Sequence, residues 1–189
     1  MYFYSTKPYD NKTNDYDIWI TTQIEGGWGP PVNLEAINSS SWEFSPSISA
    51  RGTLVFNSER PGGKGQADIY QSEYKDGKLG IPTPIEPLNS KLADAFPYIA
   101  EDESFILFSR YNRFLYISYN NNGNWTAPQA IVIKFPDQDN KEDFQLISPM
   151  ILPDQHTKLL FIKYFPAANQ KVAYTIDLAD IGIQWTGER

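Results

Sequence analysis

Three observations predict an all-β chain built as a β-propeller of about four four-stranded antiparallel blades. Segments recur in a fixed order along the 189 residues, most of them 51 positions apart. Each recurring unit reads as four short strands separated by turn residues. The second strand of each unit is apolar on both faces, a pattern that a stack of small packed sheets satisfies and a half-wet sheet does not.

The recurrence is visible residue by residue. Asp17-Ile18-Trp19 returns as Asp68-Ile69-Tyr70, Gly29 and Pro31 return as Gly80 and Pro82, and Ile37-Asn38-Ser39 returns as Leu88-Asn89-Ser90. Phe3-Tyr4-Ser5-Thr6-Lys7-Pro8 matches the stretch Phe56–Pro61, and Glu43-Phe44-Ser45-Pro46 is echoed by Asp94-Ala95-Phe96-Pro97. A loop then shortens, so that Gly77, Leu79 and Pro82 reappear 46 positions on as Gly123, Trp125 and Pro128. A weaker fourth copy starts at Ser148-Pro149 and continues through Leu159–Ile162 and Val172–Ile176. One domain over residues 1–189 therefore divides into units of roughly 1–40 (partial), 41–90, 91–140 and 141–189.

In the second unit the strands are expected at Pro46–Ser49, Thr53–Asn57, Asp68–Tyr74 and Ile81–Ile85. Arg51-Gly52, Pro61-Gly62-Gly63 and Asp76-Gly77 supply the turns between them. Leu54-Val55-Phe56, Phe105–Phe108 and Leu159–Ile162 are the doubly apolar second strands, which puts Phe56 and Phe108 at equivalent buried positions. The first unit begins inside its second strand. The expectation is a truncated product, a fragment or one arc of an assembly, with a ring that either closes or stays open. The tail Ile181–Trp185 reads as an outer strand of the fourth blade. An open arc would hide its end blades by self-association.

Composition narrows the function classes. Apolar residues make up 41% and charged residues 21%, values of a globular chain, and no apolar run approaches a membrane span. The 15% aromatic content suits pleated surfaces. A net charge of −7 without a basic stripe argues against nucleic acid as a partner. Cys is absent, which removes disulfides and thiolate chemistry. Met1 leads directly into YFYSTKP, without a basic and apolar leader, so the chain is cytoplasmic or has lost its N-terminus.

The pattern of acid, aromatic, Ser-Pro-Ser-x-Ser, turn, apolar strand, Ser-x-Arg-Pro-Gly-Gly and Asp-Ile-Tyr resembles the WD40-like PD40 repeat of TolB-like propellers from bacterial cell envelopes. The second unit carries it most fully. The third has Arg110-Tyr111-Asn112-Arg113 in place of the Gly-Gly loop, and the fourth has Ala173-Tyr174 where the Asp-Ile-Tyr triplet stands. The resemblance implies a periplasmic or envelope-associated interaction scaffold, some of whose relatives are attached to peptidases or peptidoglycan-binding modules.

Several constellations have both a chemical and a structural reading. Arg60–Gly65 lacks the Ser or Thr and the helix that a phosphate loop needs, so a strand connection is expected. Glu43 and Asp94, which precede equivalent first strands, could line a channel mouth and hold a cation or a basic peptide. Alternatively each caps backbone N–H groups or pairs with Arg60, Lys7 or Arg110. Leu146 stands at the matching place of the fourth unit. Ser118–Trp125 is a blurred sialidase Asp-box, but a sialidase also needs an arginine cluster, and the chain has five Arg in all. His156, the one histidine, reads as a hairpin tip, and the acidic stretches Asp10–Asp17 and Asp137–Asp143 lack calcium-loop spacing. Trp28 and Trp125 share a repeat position with Leu79, which implies packing on a neighbouring blade. Trp42 falls outside that series and is the better candidate for a binding surface.

The sequence thus points to a non-catalytic propeller that binds a protein or peptide, with Glu43, Asp94 and Trp42 as the candidate site and no cofactor or metal implied. A carbohydrate-active enzyme and an arc of a longer propeller with no function of its own are the alternatives. A glycosidase would need two carboxylates converging on one pocket.

Overall fold

A computed structural model describes residues 1–6, 15–135, 143–153 and 155–183, with the backbone alone at 155 and 156. Four small antiparallel sheets follow one another in chain order as the blades of a four-bladed β-propeller. The first blade contributes β1 (Tyr2–Ser5), β2 (Asp17–Ile20), a small arm of β3 (Gln23–Ile24) and β4 (Gly27–Trp28), and β5 (Val32–Asn33). The second holds β6 (Glu43–Ile48), β7 (Thr53–Ser58), β8 (Asp68–Lys75), β9 (Lys78–Leu79) and β10 (Thr83–Pro84). The third repeats this with β11 (Asp94–Ile99), β12 (Phe105–Arg110), β13 (Phe114–Asn121), β14 (Asn124–Trp125) and β15 (Gln129–Ala130). The fourth has β16 (Gln145–Leu152), β17 (Gln155–Phe165) and β18 (Gln170–Asp177). Among the described residues no helix is long and apolar enough to cross a membrane.

Strand registers recur from blade to blade. Ser58 pairs with Asp68 across β7 and β8, and Ser5 pairs with Asp17 across β1 and β2, so β1 is the counterpart of β7. Among the described residues the first blade has no counterpart of β6. Phe56, Phe108 and Phe161 are fully buried in β7, β12 and β17 and stack on Tyr70, Tyr116 and Tyr174 of the next strand. Phe3 faces Trp19 in the same register of the first blade.

The recurring Ile-Asn-Ser and Leu-Asn-Ser triplets have a mechanical explanation. Ile37 and Leu88 are fully buried core residues. Asn38 then clamps the backbone of Ile18, accepting its N–H at 2.8 Å and donating to its carbonyl at 2.9 Å, and Asn89 does the same to Ile69. Ser39 and Ser90 turn to the acid that opens the next blade. A second repeated clasp runs from Thr21, Ser72 and Ser118 hydroxyls to the carbonyls of Gly29, Gly80 and Thr126. Each holds the small arm against its blade.

The core lies between blades. Ile18, Ile37, Leu54 and Phe56 fill the junction of the first two. Val55, Ile69, Ile85, Ile99, Ile106 and Phe108 fill the next. Phe105, Leu107, Leu115, Leu146, Leu159 and Phe161 fill the third. Adjacent second-strand residues such as Leu54 and Val55 therefore serve different junctions, which is why the strand is apolar on both faces.

Three boundaries differ from the sequence expectation. The inner strand begins at Glu43, three residues before Pro46, because Ser45 adopts φ +51° and the strand continues across a bulge. Phe96 (φ +54°) and Ser148 (φ +53°) repeat this kink before Pro97 and Pro149. The outer strand shrinks from Ile81–Ile85 to Thr83–Pro84, because the far half of β8 is occupied by β9 and Ile81 is left exposed in the connection. The tail forms a 3₁₀ turn at Leu178–Ile181 and seats Leu178 and Ile183 in the third core, so the outer strand expected at Ile181–Trp185 is not formed by its first residues. Gly182 permits the reversal at φ +73°, and residues from 184 lie outside the described part.

Candidate functional site

The two acids expected at the channel mouth open equivalent strands at the same end of their blades. Glu43 pairs with Ser58 across β6 and β7, and Asp94 pairs with Arg110 across β11 and β12. Both are fully buried. Glu43 accepts from the Ser39 N–H and hydroxyl at 2.8 and 2.6 Å, from the Ser58 hydroxyl at 2.6 Å and from Arg60 Nη2 at 3.2 Å. Asp94 accepts from the Ser90 N–H and hydroxyl at 2.7 and 2.8 Å and from Arg110 Nε at 2.6 Å. The carboxylates thus cap backbone and pair with arginines of their own blades.

Each arginine also closes the preceding junction. Arg60 donates to the Ile37 carbonyl at 2.6 Å, and Arg110 donates to the Leu88 carbonyl at 2.8 Å. Their guanidinium carbons lie 4.8 and 4.6 Å from the ring centres of Tyr70 and Tyr116. In the fourth blade Leu146 and Lys163 occupy the corresponding pair. Lys163 is fully buried, with Nζ 4.2 and 4.3 Å from the ring centres of Phe135 and Phe144. A cation against aromatic rings therefore recurs in three blades.

Strand alternation sends the neighbours of these acids the other way. Trp42 and Phe44 flank Glu43, Ala93 and Ala95 flank Asp94, and all four line one pocket of about 290 Å³. Backbone bonds from the Glu43 N–H to the Tyr16 carbonyl (2.7 Å) and from the Asp94 N–H to the Ala67 carbonyl (2.8 Å) bring successive blades together there. One wall is aromatic: Tyr4, Tyr16, Trp42 and Phe44 contact one another with ring centres 4.9 to 5.8 Å apart, mostly edge to face. Trp42 and Tyr4 keep 46% and 45% of their surface exposed. The opposite wall includes Phe96, whose left-handed backbone is steadied by its N–H bond to Asn57 Oδ1 at 3.2 Å.

The pocket's polar groups are few. Glu59 is its one charged lining residue among the described residues, and partial desolvation raises the carboxyl pKa above the ordinary glutamate value although the residue stays exposed. Asn112 also lines it, and its Oδ1 is a buried acceptor with no hydrogen-bond donor among the described residues. A slightly larger hollow of about 320 Å³ lies along the outer edge of the second blade, beside the Glu73–Lys75 ion pair. Its lining mixes charges of both signs and contains no aromatic residue.

Of the three candidates from sequence, the structure brings Trp42 to the pocket and places Glu43 and Asp94 immediately behind its wall. Tyr4, Tyr16, Phe44, Phe96, Glu59 and Asn112 escaped the sequence reading. Alternation about Glu43 could have found Phe44. Tyr16 immediately precedes the recurring Asp17-Ile18-Trp19, and its repeat counterpart Ala67 lines the same pocket, whereas Asn112 lies in the loop that replaces Gly-Gly in the third unit.

The remaining constellations resolve locally. The Gly65 N–H donates to Asp68 Oδ2 at 3.1 Å, and Lys64 holds the Glu86 carbonyl and carboxylate, so the Gly-rich loop folds onto its own blade. The Asp68 carboxyl pKa is raised by burial, against the lowering effect of loop N–H bonds. Asn120 Oδ1 accepts the Gly123 N–H at 2.7 Å in a two-residue hairpin turn, with positive φ at Asn122 and Gly123. Leu79 and Trp125 pack against the first and second cores, whereas Trp28 is 55% exposed on the first blade. The His156 backbone belongs to β17 and its side chain lies outside the described residues, as do Lys7, Asp10–Asn14 and Asp137–Glu142. Asp143 pairs with Arg113 at 2.7 Å.

No protein-family model matches this sequence, and no curated protein matches it either.

Proposed function

We propose that this chain is a non-catalytic interaction module of the PD40 type, associated with a bacterial cell envelope, that captures a segment of a protein partner in the aromatic pocket. The observation that carries this reading is the four-ring wall of Tyr4, Tyr16, Trp42 and Phe44, which opens onto a concave site at the start of the inner strands. Exposed aromatic clusters in concave positions are where interfaces concentrate their binding energy. Glu43 and Asp94 serve this site from behind, fixing the strand ends that carry Trp42 and Ala95.

The carbohydrate-active alternative meets a chemical obstacle. Glycoside hydrolysis uses two carboxylates facing each other across ~5–10 Å. Among the described residues the pocket lining offers one, Glu59, because Glu43 and Asp94 are engaged by arginine and serine.

A displayed library of seven-residue peptides, panned on the wild-type protein and on Trp42→Ala, tests the reading. Enriched peptides should bind wild type at micromolar affinity and lose most of that affinity on Trp42→Ala. Equal binding to both proteins would move the site elsewhere. Turnover of chromogenic glycosides that disappears in Glu59→Gln would favour the enzyme.

A further inference from the structure

Resting on that reading, we infer that the group held in the pocket is the cationic side chain of a partner's arginine. Size comes first: about 290 Å³ lies at the small end of the ~300–1,000 Å³ range of whole-ligand pockets, and it accommodates a single side chain inserted from an extended segment.

Charge and hydrogen bonding then select among side chains. Among the described residues Glu59 supplies the only charge in the lining, and its sign is negative. An acidic side chain would face it without a counter-charge, on a protein of net charge −7. An apolar side chain would gain nothing from the Glu59 carboxylate. A guanidinium brings five N–H donors and no acceptor, lies flat on aromatic faces, and is more easily desolvated than an ammonium. The exposed faces of Trp42 and Tyr4 are the surfaces it would stack on.

The fold itself contains the same recognition pattern twice. Arg60 lies over Tyr70 with Glu43 at 3.2 Å, and Arg110 lies over Tyr116 with Asp94 at 2.6 Å. The pocket presents the same aromatic-plus-carboxylate surroundings with the cation's place left to a partner.

The test is a set of blocked peptides Gly-Gly-Xaa-Gly-Gly, with Xaa Arg, Lys, Leu, Trp or Glu, titrated into the full chain and followed by amide chemical-shift changes. The Arg peptide should shift amides around Trp42, Phe44 and Asn112 and bind about tenfold more tightly than the Leu peptide, as a cation–aromatic contact of ~1.4 kcal/mol requires. Glu59→Gln should weaken the Arg peptide and leave the Leu peptide unchanged. Leu or Trp peptides seated in the pocket as tightly as Arg would overturn the arginine assignment while leaving the pocket a binding surface. Shifts confined to residues outside it, or none with any peptide, would overturn both.

Discussion

Arg110 donates from Nε to Asp94 Oδ1 at 2.6 Å, joining the first residue of β11 to the last residue of β12 inside the third blade. The carboxylate is fully buried and the arginine mostly so, with 17% of its side chain exposed. Removing one member leaves the other charge without its partner, at a cost of ~3–5 kcal/mol. Asp94→Ala is expected to lower the unfolding free energy by that amount in urea titrations. The double variant Asp94→Leu, Arg110→Met should recover most of the loss, since the fourth blade already carries Leu146 at the acid's position.

Phe56 is fully buried between the first two blades and stacks on Tyr70 at 6.1 Å. Phe56→Ala should cost ~3–5 kcal/mol. Phe108→Ala should cost a similar amount at the next junction. Equilibrium denaturation of the two variants checks whether the blades are energetically equivalent.

Gly65 sits where an added Cβ would press on the backbone carbonyls of Leu92 and Ser90, atoms that cannot swing aside. Gly65→Ala should therefore destabilise by ~1–3 kcal/mol, the usual cost of overpacking. At Gly77 the added atom meets nothing and the obstacle is φ +80° alone, so Gly77→Asn should be tolerated. Thermal melts of the two variants separate crowding from backbone preference.

Burial pushes the Tyr98 hydroxyl up to about 12, helped by the charge of Glu101 and opposed by a backbone hydrogen bond to Ile151. A raised folded-state value means that the neutral phenol stabilises the fold. Its contribution is complete below pH 10, where the unfolded phenol titrates, and is lost as pH rises towards 12. The wild-type urea midpoint should fall faster than that of Tyr98→Phe between those limits, with the two parallel at pH 7 to 9.

Sequence periodicity made the blade order, the burial of Phe56 and Phe108 and the packing of Leu79 and Trp125 legible, because one interval carries each residue onto its structural twin. It also found both acids and named Arg60 and Arg110 among their possible partners. The direction in which the acids point was less accessible. It depends on a strand that starts before its proline, through a left-handed Ser45 or Phe96 that no propensity favours. The pocket was the least legible part. Tyr4 and Tyr16 come from one blade, Phe44 from the second and Phe96 from the third, and only the packing of blades brings them onto one hollow. Trp42 could be found because it breaks the repeat.

The Ser39–Glu43–Arg60 and Ser90–Asp94–Arg110 clusters straddle the points where one repeat passes into the next. Cutting the chain between Ser39 and Glu43, the natural place on a sequence diagram, would divide such a cluster between two pieces. The turns at Asp76-Gly77 and Asn122-Gly123 carry no comparable burden. Recombination that shuffles blades, and circular permutants made in the laboratory, should therefore tolerate breakpoints at those outer hairpins and fail at the repeat boundaries. The unit that tolerates such exchange runs from one outer hairpin to the next, out of step with the visible repeat.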